Sequence, residues 1–439
     1  MINEKGTFTQ IFKRALSKTK GNWNADRNMF LFAFEGIIIA LITNIINNNN
    51  NLFATRMEAN NFELTLVTSL PQFVGMLVLI PGGILSDRMA NKRRMVVISL
   101  LCLSTIYMTI GFVPMFGQFR LAAFICLLAL SVGPLTLYNA SWQAYFSDVV
   151  HMEDRNRVFT LRTKGTFLLN IVTPLTTGAL LANAVINSDK IKLHQVFFWS
   201  SALLLWLQIF VLKKISGGDK QQNKGNGFKE FKNAAFELIG NKRLMCFFGV
   251  ALFFYMSWQT DWTLYFIGQV EYLKLNEAWL SYVVVGGAFV QFVTLGFWSR
   301  MNEKYGVRVP IIIGSLALSL FPLCMNFATS LPVGKGAVVF LVLNTLSNFA
   351  FATITLNIPQ CLLQVVPEKN KTLSISIYTV LTSLSNAIMP LVGVQLYTAL
   401  GSNLEALQTT YYIVFIMRII AASLWIARWW VMRKEPIVL

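Results

Sequence analysis

Charge is scarce in this chain. Only 13% of its 439 residues are Asp, Glu, Lys or Arg, while 55% are hydrophobic; a soluble protein of ordinary composition carries about a quarter charged residues. A surface that cannot be covered with charge in water has to be covered by lipid. Histidine is scarcer still. His151 and His194 are the whole complement, both read as loop residues, which argues against a histidine-built metal site or a histidine relay inside the membrane. The five cysteines (Cys102, Cys126, Cys246, Cys324 and Cys361) lie singly in apolar segments, so neither a disulfide framework nor a metal cluster is expected. The polar, basic opening shows no apolar core with a small-residue cleavage site, so no cleavable signal peptide is expected. Phosphate-cradling loops and nucleophile motifs are missing too. The reading is therefore not an enzyme, with no cofactor. A sensor is disfavoured, because no appended soluble domain is visible to carry a signal.

What is abundant is long apolar sequence. A helix needs about 20 apolar residues to cross the hydrocarbon core, and twelve segments qualify: 29–54, 63–86, 95–116, 120–147, 160–186, 195–213, 244–268, 277–298, 309–328, 336–363, 373–400 and 407–431. The expected fold class is an all-α integral membrane protein of twelve transmembrane helices. Residues 1–27 form a basic cytoplasmic tail. In it Phe8, Ile11, Phe12, Ala15 and Leu16 recur at helical spacing among lysines and arginines, so it reads either as an amphipathic helix on anionic lipid or as a solvated tail. Two six-helix halves, 28–213 and 244–432, flank a polar central loop, 214–243, with a Gly/Asn/Gln linker composition. Residues 433–439 form a second tail.

The net charge of +17 raises the possibility of nucleic-acid binding, but the basic residues fall between apolar segments and not along one polar face. With the N terminus placed in the cytoplasm, 30 basic residues lie on inner segments and 6 on outer loops, and one more, Arg418, lies within a span. That bias predicts a multi-pass cell-membrane protein with both termini cytoplasmic, and no nucleic-acid partner.

The halves also resemble each other. At an offset of 216 residues, Asn170–Leu175 falls on Asn386–Leu391, Val149-Val150 on Val365-Val366, Arg27 and Met29 on Arg243 and Met245, and Asp87–Lys92 on Glu303–Arg308. One gapless register through four regions indicates two parallel six-helix repeats. Such repeats place a solute site at the midplane, between halves that rock against each other.

After the second segment comes Gly83-Ile84-Leu85-Ser86-Asp87-Arg88-Met89-Ala90-Asn91-Lys92-Arg93-Arg94. It resembles the signature loop of the major facilitator superfamily: Gly, three residues, Asp, a basic residue, one residue, Gly, and a basic cluster. Ala90 and Asn91 depart from the pattern, where the family usually has Gly and a basic residue. The resemblance implies the major facilitator fold over the whole chain. It also implies gating roles for Gly83, Asp87, Arg88, Lys92 and Arg93, with the anion of Asp87 at the start of the eleventh helix, near Thr372 to Ser374, where a helix N terminus favours it. The loop from Asp148 to Arg157 resembles the family's inner gate, which adds Asp148 and Arg155. Lys92, Arg93 and Arg94 alone would also fit ordinary positive-inside charge.

Three spans carry one interior charge each: Glu35, Asp261 and Arg418. Charge in a bilayer persists where it faces a cavity or a partner. Helical spacing puts Trp258, Asp261, Trp262 and Tyr265 on one face, a carboxylate among aromatic rings with Gln259 beside them. An interfacial aromatic belt would explain the tryptophans, though not Asp261 or Gln259. The first span holds Asn44, Asn48 and Asn51, the fourth Asn139, Trp142 and Gln143, and the tenth Asn344 and Asn348. Any one amide could be interhelical glue. The resemblance implies that spans one, four, seven and ten line a central cavity, and there the collection reads as a substrate site. The expected function is secondary transport of a small polar organic solute, such as a sugar or glycoside, by a monomer coupled to a proton or another cation. Asp261 and Glu35 are the candidate coupling carboxylates. The alternative is an exporter of amphipathic or cationic compounds. It is disfavoured because the fifth span reads Asn170 to Gly178 without the glycine-rich Gly-Pro motif of drug antiporters.

Overall fold

The computed structural model describes residues 23–88, 91–150, 152–217, 240–366 and 371–432. The expected amphipathic tail helix, the linker-like run of the central loop and His151 lie outside them. Among the described residues there is no strand. Eleven helices among the described residues are long and apolar enough to cross a membrane.

The first half runs α1 (Trp23–Asn47), the short α2 (Asn50–Arg56), α3 (Asn61–Arg88), α4 (Lys92–Phe112), α5 (Arg120–Val149), α6 (Met152–Asn183) and α7 (Asn187–Lys213). The second runs α8 (Lys242–Gln259), α9 (Trp262–Ile267), α10 (Glu277–Tyr305), α11 (Arg308–Ser319), α12 (Phe321–Thr329), α13 (Val333–Val365), α14 (Lys371–Ala399) and α15 (Leu404–Met432). Twelve crossings result, because α1/α2, α8/α9 and α11/α12 are each one span broken in two. The seventh predicted segment, 244–268, is the one not among the eleven. It breaks at Thr260-Asp261 and continues as α9 and a π turn over Gly268–Tyr272. In the ninth span Pro322 sits just after the break and cannot donate to the ladder.

His194 is not in a loop, as the sequence suggested, but in α7. The helix begins earlier than its apolar run, at Asn187, so the imidazole is buried with its ring stacked on Phe53 at 4.9 Å and edge-on to Phe197.

Each half has its own core. One cluster centres on Phe32, Phe53, Leu100, Tyr138 and Leu205, another on Phe247, Ile311, Ile354 and Trp425. The halves meet where α3 packs along α14 and α6 along α10. Phe167 of α6 and Phe292 of α10 touch with ring centroids 4.1 Å apart. Gly178 permits the approach, since a Cβ there would overlap the Ser281 hydroxyl. At the end of the bundle far from both termini a third cluster joins Leu52, Leu181 and Phe197 of the first half to Leu264, Ile267, Leu280 and Val283 of the second.

Candidate functional site

Glu35 lies on α1 at 0% exposure, and three neutral groups donate to it. Tyr138 Oη donates to Oε1, Trp142 Nε1 to Oε2 at 2.9 Å, and Gln208 Nε2 to Oε1 at 2.5 Å. Gln208 also donates to Tyr138 Oη at 3.2 Å. The register of α5 places Tyr138 and Trp142 one turn apart, so both reach the same carboxylate. Above them the Arg162 guanidinium lies 4.0 Å over the Trp142 ring, with Nη1 3.9 Å from Glu35 Oε2. Arg162 can lie across α1 because residue 36 is glycine; a Cβ there would overlap its side chain. Arg162 makes no close hydrogen bond to the carboxylate, and its Nη1 is buried without a hydrogen-bond partner.

Asp261 sits in other company. It is 2% exposed and pairs with Arg418 of α15, Nη2 to Oδ1 at 2.7 Å. The single face expected for Trp258, Asp261, Trp262 and Tyr265 does not form, because the helix breaks at Thr260-Asp261. Asp261 turns outward to the twelfth span, while Trp262 is 38% exposed. Trp258 stacks on Tyr255 at 6.0 Å and meets Phe351 edge-on at 4.8 Å. Tyr265 Oη donates to Asn344 Oδ1 at 2.7 Å. Gln259 is buried.

The amides fall into two sets. In the first half Asn44 Nδ2 donates to Asn170 Oδ1 at 2.8 Å, joining α1 to α6, while Asn48 is exposed and Asn51 half-buried. Asn139 and Gln143 lie exposed one turn apart on α5, on the face next to the one Tyr138 and Trp142 turn to Glu35. In the second half Asn348 Nδ2 donates to the Asn344 carbonyl at 2.8 Å and Oδ1 accepts from Gln291 Nε2 at 2.7 Å. Gly286 and Gly287 bring α10 this close; a Cβ on either would press on Thr345 or Asn348. Asn48, Asn139, Gln143 and Trp262 are thus the expected site residues most open to a solute. Asn44, Trp142, Tyr265, Asn344 and Asn348 are tied to neighbouring side chains.

Of the expected gating residues, Gly83, Asp87 and Arg88 lie at the C-terminal end of α3, where only the backbone is described. Lys92 pairs with Asp148 at 2.9 Å, Arg93 donates to the Ile215 carbonyl at 3.0 Å, and Arg155 caps α5 through the Ser147 carbonyl at 2.8 Å. These contacts join helices of one half. At the far end the halves themselves are bridged. Glu277, 3% exposed at the start of α10, accepts from Arg56 of α2 and from Lys190 of α7, the latter at 2.6 Å.

Sequence reading found Glu35 and Asp261 but not their pairing. Arg162 counted among the inner basic residues at the start of the 160–186 segment, whereas its helix begins at Met152 and places it beside Glu35. Gln208, a lone amide in an apolar run, was the available signal for a polar contact in α7. Arg56 and Lys190 counted as outer-loop charges and Glu277 as the first residue of the eighth segment, with nothing in the sequence to join them.

The model of the Major Facilitator Superfamily matches residues 28–294 and 247–438. No curated protein sequence matches. Among solved structures the chain is similar to a mutant of the nucleoside transporter NupG, at 12% identity and a TM-score of 0.70, over 90% of this chain and 99% of that one. It is also similar to a bacterial homologue of the human lysosomal transporter Spinster, inward-facing and unoccupied, at 12% identity and a TM-score of 0.68, over 93% and 97%. A third is a D-xylose–proton symporter, at 13% identity and a TM-score of 0.66, over 94% and 97%. At these identities the likeness shows the fold.

Proposed function

Because this chain belongs to the major facilitator superfamily, and so is a multi-pass membrane transporter rather than an enzyme, we propose that it carries a small polar organic solute by alternating access, with Glu35 as the group that takes up and releases the coupling proton. The halves 28–213 and 244–432 rock about a midplane cavity. Both termini and the 214–243 loop face the cytoplasm, from the 30-to-6 charge bias. A hydroxylated solute, sugar or nucleoside in kind, suits the open amides Asn48, Asn139 and Gln143 and the Trp262 ring. A xylose symporter and a nucleoside transporter of the same fold carry such solutes.

The observation that carries the reading is the company of Glu35. A carboxylate in the bilayer needs either a proton or a cation, and this one has both within reach. Tyr138 can donate to it when it is ionised or accept from it when it is protonated. Arg162, 3.9 Å away and 20% exposed, stands beside it without a close bond to hold the charge in place. Asp261 lacks that freedom, since Arg418 holds it at 2.7 Å. The test is Glu35→Gln in proteoliposomes. A solute chosen by its stabilisation of the wild-type protein should still exchange across the membrane at near the wild-type rate, but its uphill accumulation on a proton gradient should be lost. Wild-type accumulation in Glu35→Gln would remove Glu35 from the coupling role.

A further inference from the structure

Arg418 does more in this fold than balance a charge. It is 4% exposed on α15 and its guanidinium meets three acceptors. Nη2 donates to Asp261 Oδ1 at 2.7 Å and to the Trp258 carbonyl at 3.1 Å, and Nη1 donates to the Leu318 carbonyl at 3.2 Å. Both carbonyls stand at the end of a broken helix. The Leu318 carbonyl cannot bond an N–H of residue 322, because that residue is Pro322; it accepts a backbone N–H at the end of α11, and Arg418 Nη1 is its second donor. The Trp258 carbonyl lies just before the break at Thr260-Asp261. One guanidinium therefore holds carbonyls at the ends of two broken spans, the seventh and the ninth. Lipid offers no replacement donor, which is why broken helices in membranes occur where a neighbour re-satisfies the backbone. A planar fork with donors on separate nitrogens can reach acceptors that lie apart, as a compact ammonium cannot. Asp261 supplies the negative charge that lets the cation sit there.

The consequence reaches the cavity through α9. The break sets the direction in which α9 leaves α8. That direction puts Trp262 on the open side and carries Leu264 and Ile267 into the cluster that joins the halves at the far end. We propose that Arg418 is a positioning residue, which fixes the angle between α8 and α9 by holding the carbonyls of Trp258 and Leu318 together, and thereby sets where Trp262 and Ile267 stand. Asp261 belongs to the same device, as its counter-charge. The proposal does not depend on which solute is carried or on the role of Glu35.

The rival account makes Arg418 only the counter-ion of Asp261, and the two differ in what a charge-balanced deletion does. The reporter is Ile267→Cys, 1% exposed in the native residue, in the full-length protein with the five native cysteines replaced, reacted with a soluble maleimide. Asp261→Asn keeps an acceptor for Arg418, and labelling should stay within about twofold of the parent. Asp261→Asn/Arg418→Met removes both charges and with them the donor that joins the two carbonyls, and labelling should rise at least about tenfold, one decade for each 1.4 kcal/mol lost. Parent-level labelling in the double variant would overturn the proposal. If the double variant does not fold, Arg418→Lys decides. It keeps the charge and the pair with Asp261 but cannot span three acceptors, so labelling should rise, and parent-level labelling there would overturn the proposal equally.

Discussion

Glu35 and Asp261 are both carboxylates sunk in the bilayer, and their difference lies in what surrounds them. Asp261 has one guanidinium at 2.7 Å, and that guanidinium is itself bound to two carbonyls. Glu35 has three neutral donors and a guanidinium that stays at 3.9 Å. Gln208→Leu keeps the volume close to native and removes one donor from Glu35 and one from Tyr138. An unpaired buried polar group costs about 1–3 kcal/mol, so the variant should unfold at lower temperature in detergent. Because Glu35 and Gln208 share a hydrogen bond, Glu35→Gln/Gln208→Leu should destabilise by less than the two single changes combined. Additive losses would mean that the two side chains do not act on each other. The sequence marks Glu35 as an unusual charge and leaves its company unseen. Tyr138, Trp142, Arg162 and Gln208 come from three different helices, and no local pattern joins them to α1.

At the scale of elements, the long spans were legible because apolar runs of bilayer length have one use, and the breaks were legible only in part. Pro322 announces the break between α11 and α12. The break between α8 and α9 has neither proline nor glycine near it, and it depends on tertiary partners, Arg418 on one side and Gly393 on the other. Gly393 of α14 lies against the broken turn so closely that a Cβ would overlap the Thr260 carbonyl. Gly393→Ala must push α14 from α9, at a cost of the order of 1–3 kcal/mol for overpacking. Gly249→Ala on α8 is the control, since nothing lies within 4 Å of the added Cβ, and it should be neutral or slightly stabilising by helix propensity. Equal thermal stability of the two variants would show that the approach at Gly393 is not tight. Helix starts were the other weakness of the sequence reading. Polar first turns at Met152 and Asn187 belong to helices whose apolar stretches begin later, and this is how Arg162 came to be counted with the inner charge and His194 to be read in a loop.

At the scale of the molecule, two halves with separate cores meet along α3–α14 and α6–α10 and are tied at the far end by Glu277 to Arg56 and Lys190. The twofold architecture was legible from the repeat at 216 residues. The tie was not, since its three charges lie far apart in the sequence, at the ends of different segments. A hydrogen bond to a charged group contributes about 1.5–3 kcal/mol, and a tenfold change in an equilibrium needs about 1.4. Glu277→Gln should therefore open the far end at least about tenfold more often, read as faster labelling of Leu52→Cys by a membrane-impermeant maleimide from outside the cell. An unchanged rate would make the triad ornamental. The same chemistry applied to Gln222→Cys in the central loop should give no labelling in intact cells, and efficient labelling would reverse the proposed orientation.

The claim on which the rest depends is that this molecule moves a solute uphill on a proton gradient. Its most direct test is uptake into proteoliposomes holding the wild-type protein, with sugars, glycosides and nucleosides selected by the thermal stabilisation they give it. The account predicts that at least one such solute accumulates above its outside concentration when the lumen is made alkaline, and that a protonophore releases it. A solute that equilibrates equally fast with and without the gradient, and never exceeds the outside concentration, would contradict it.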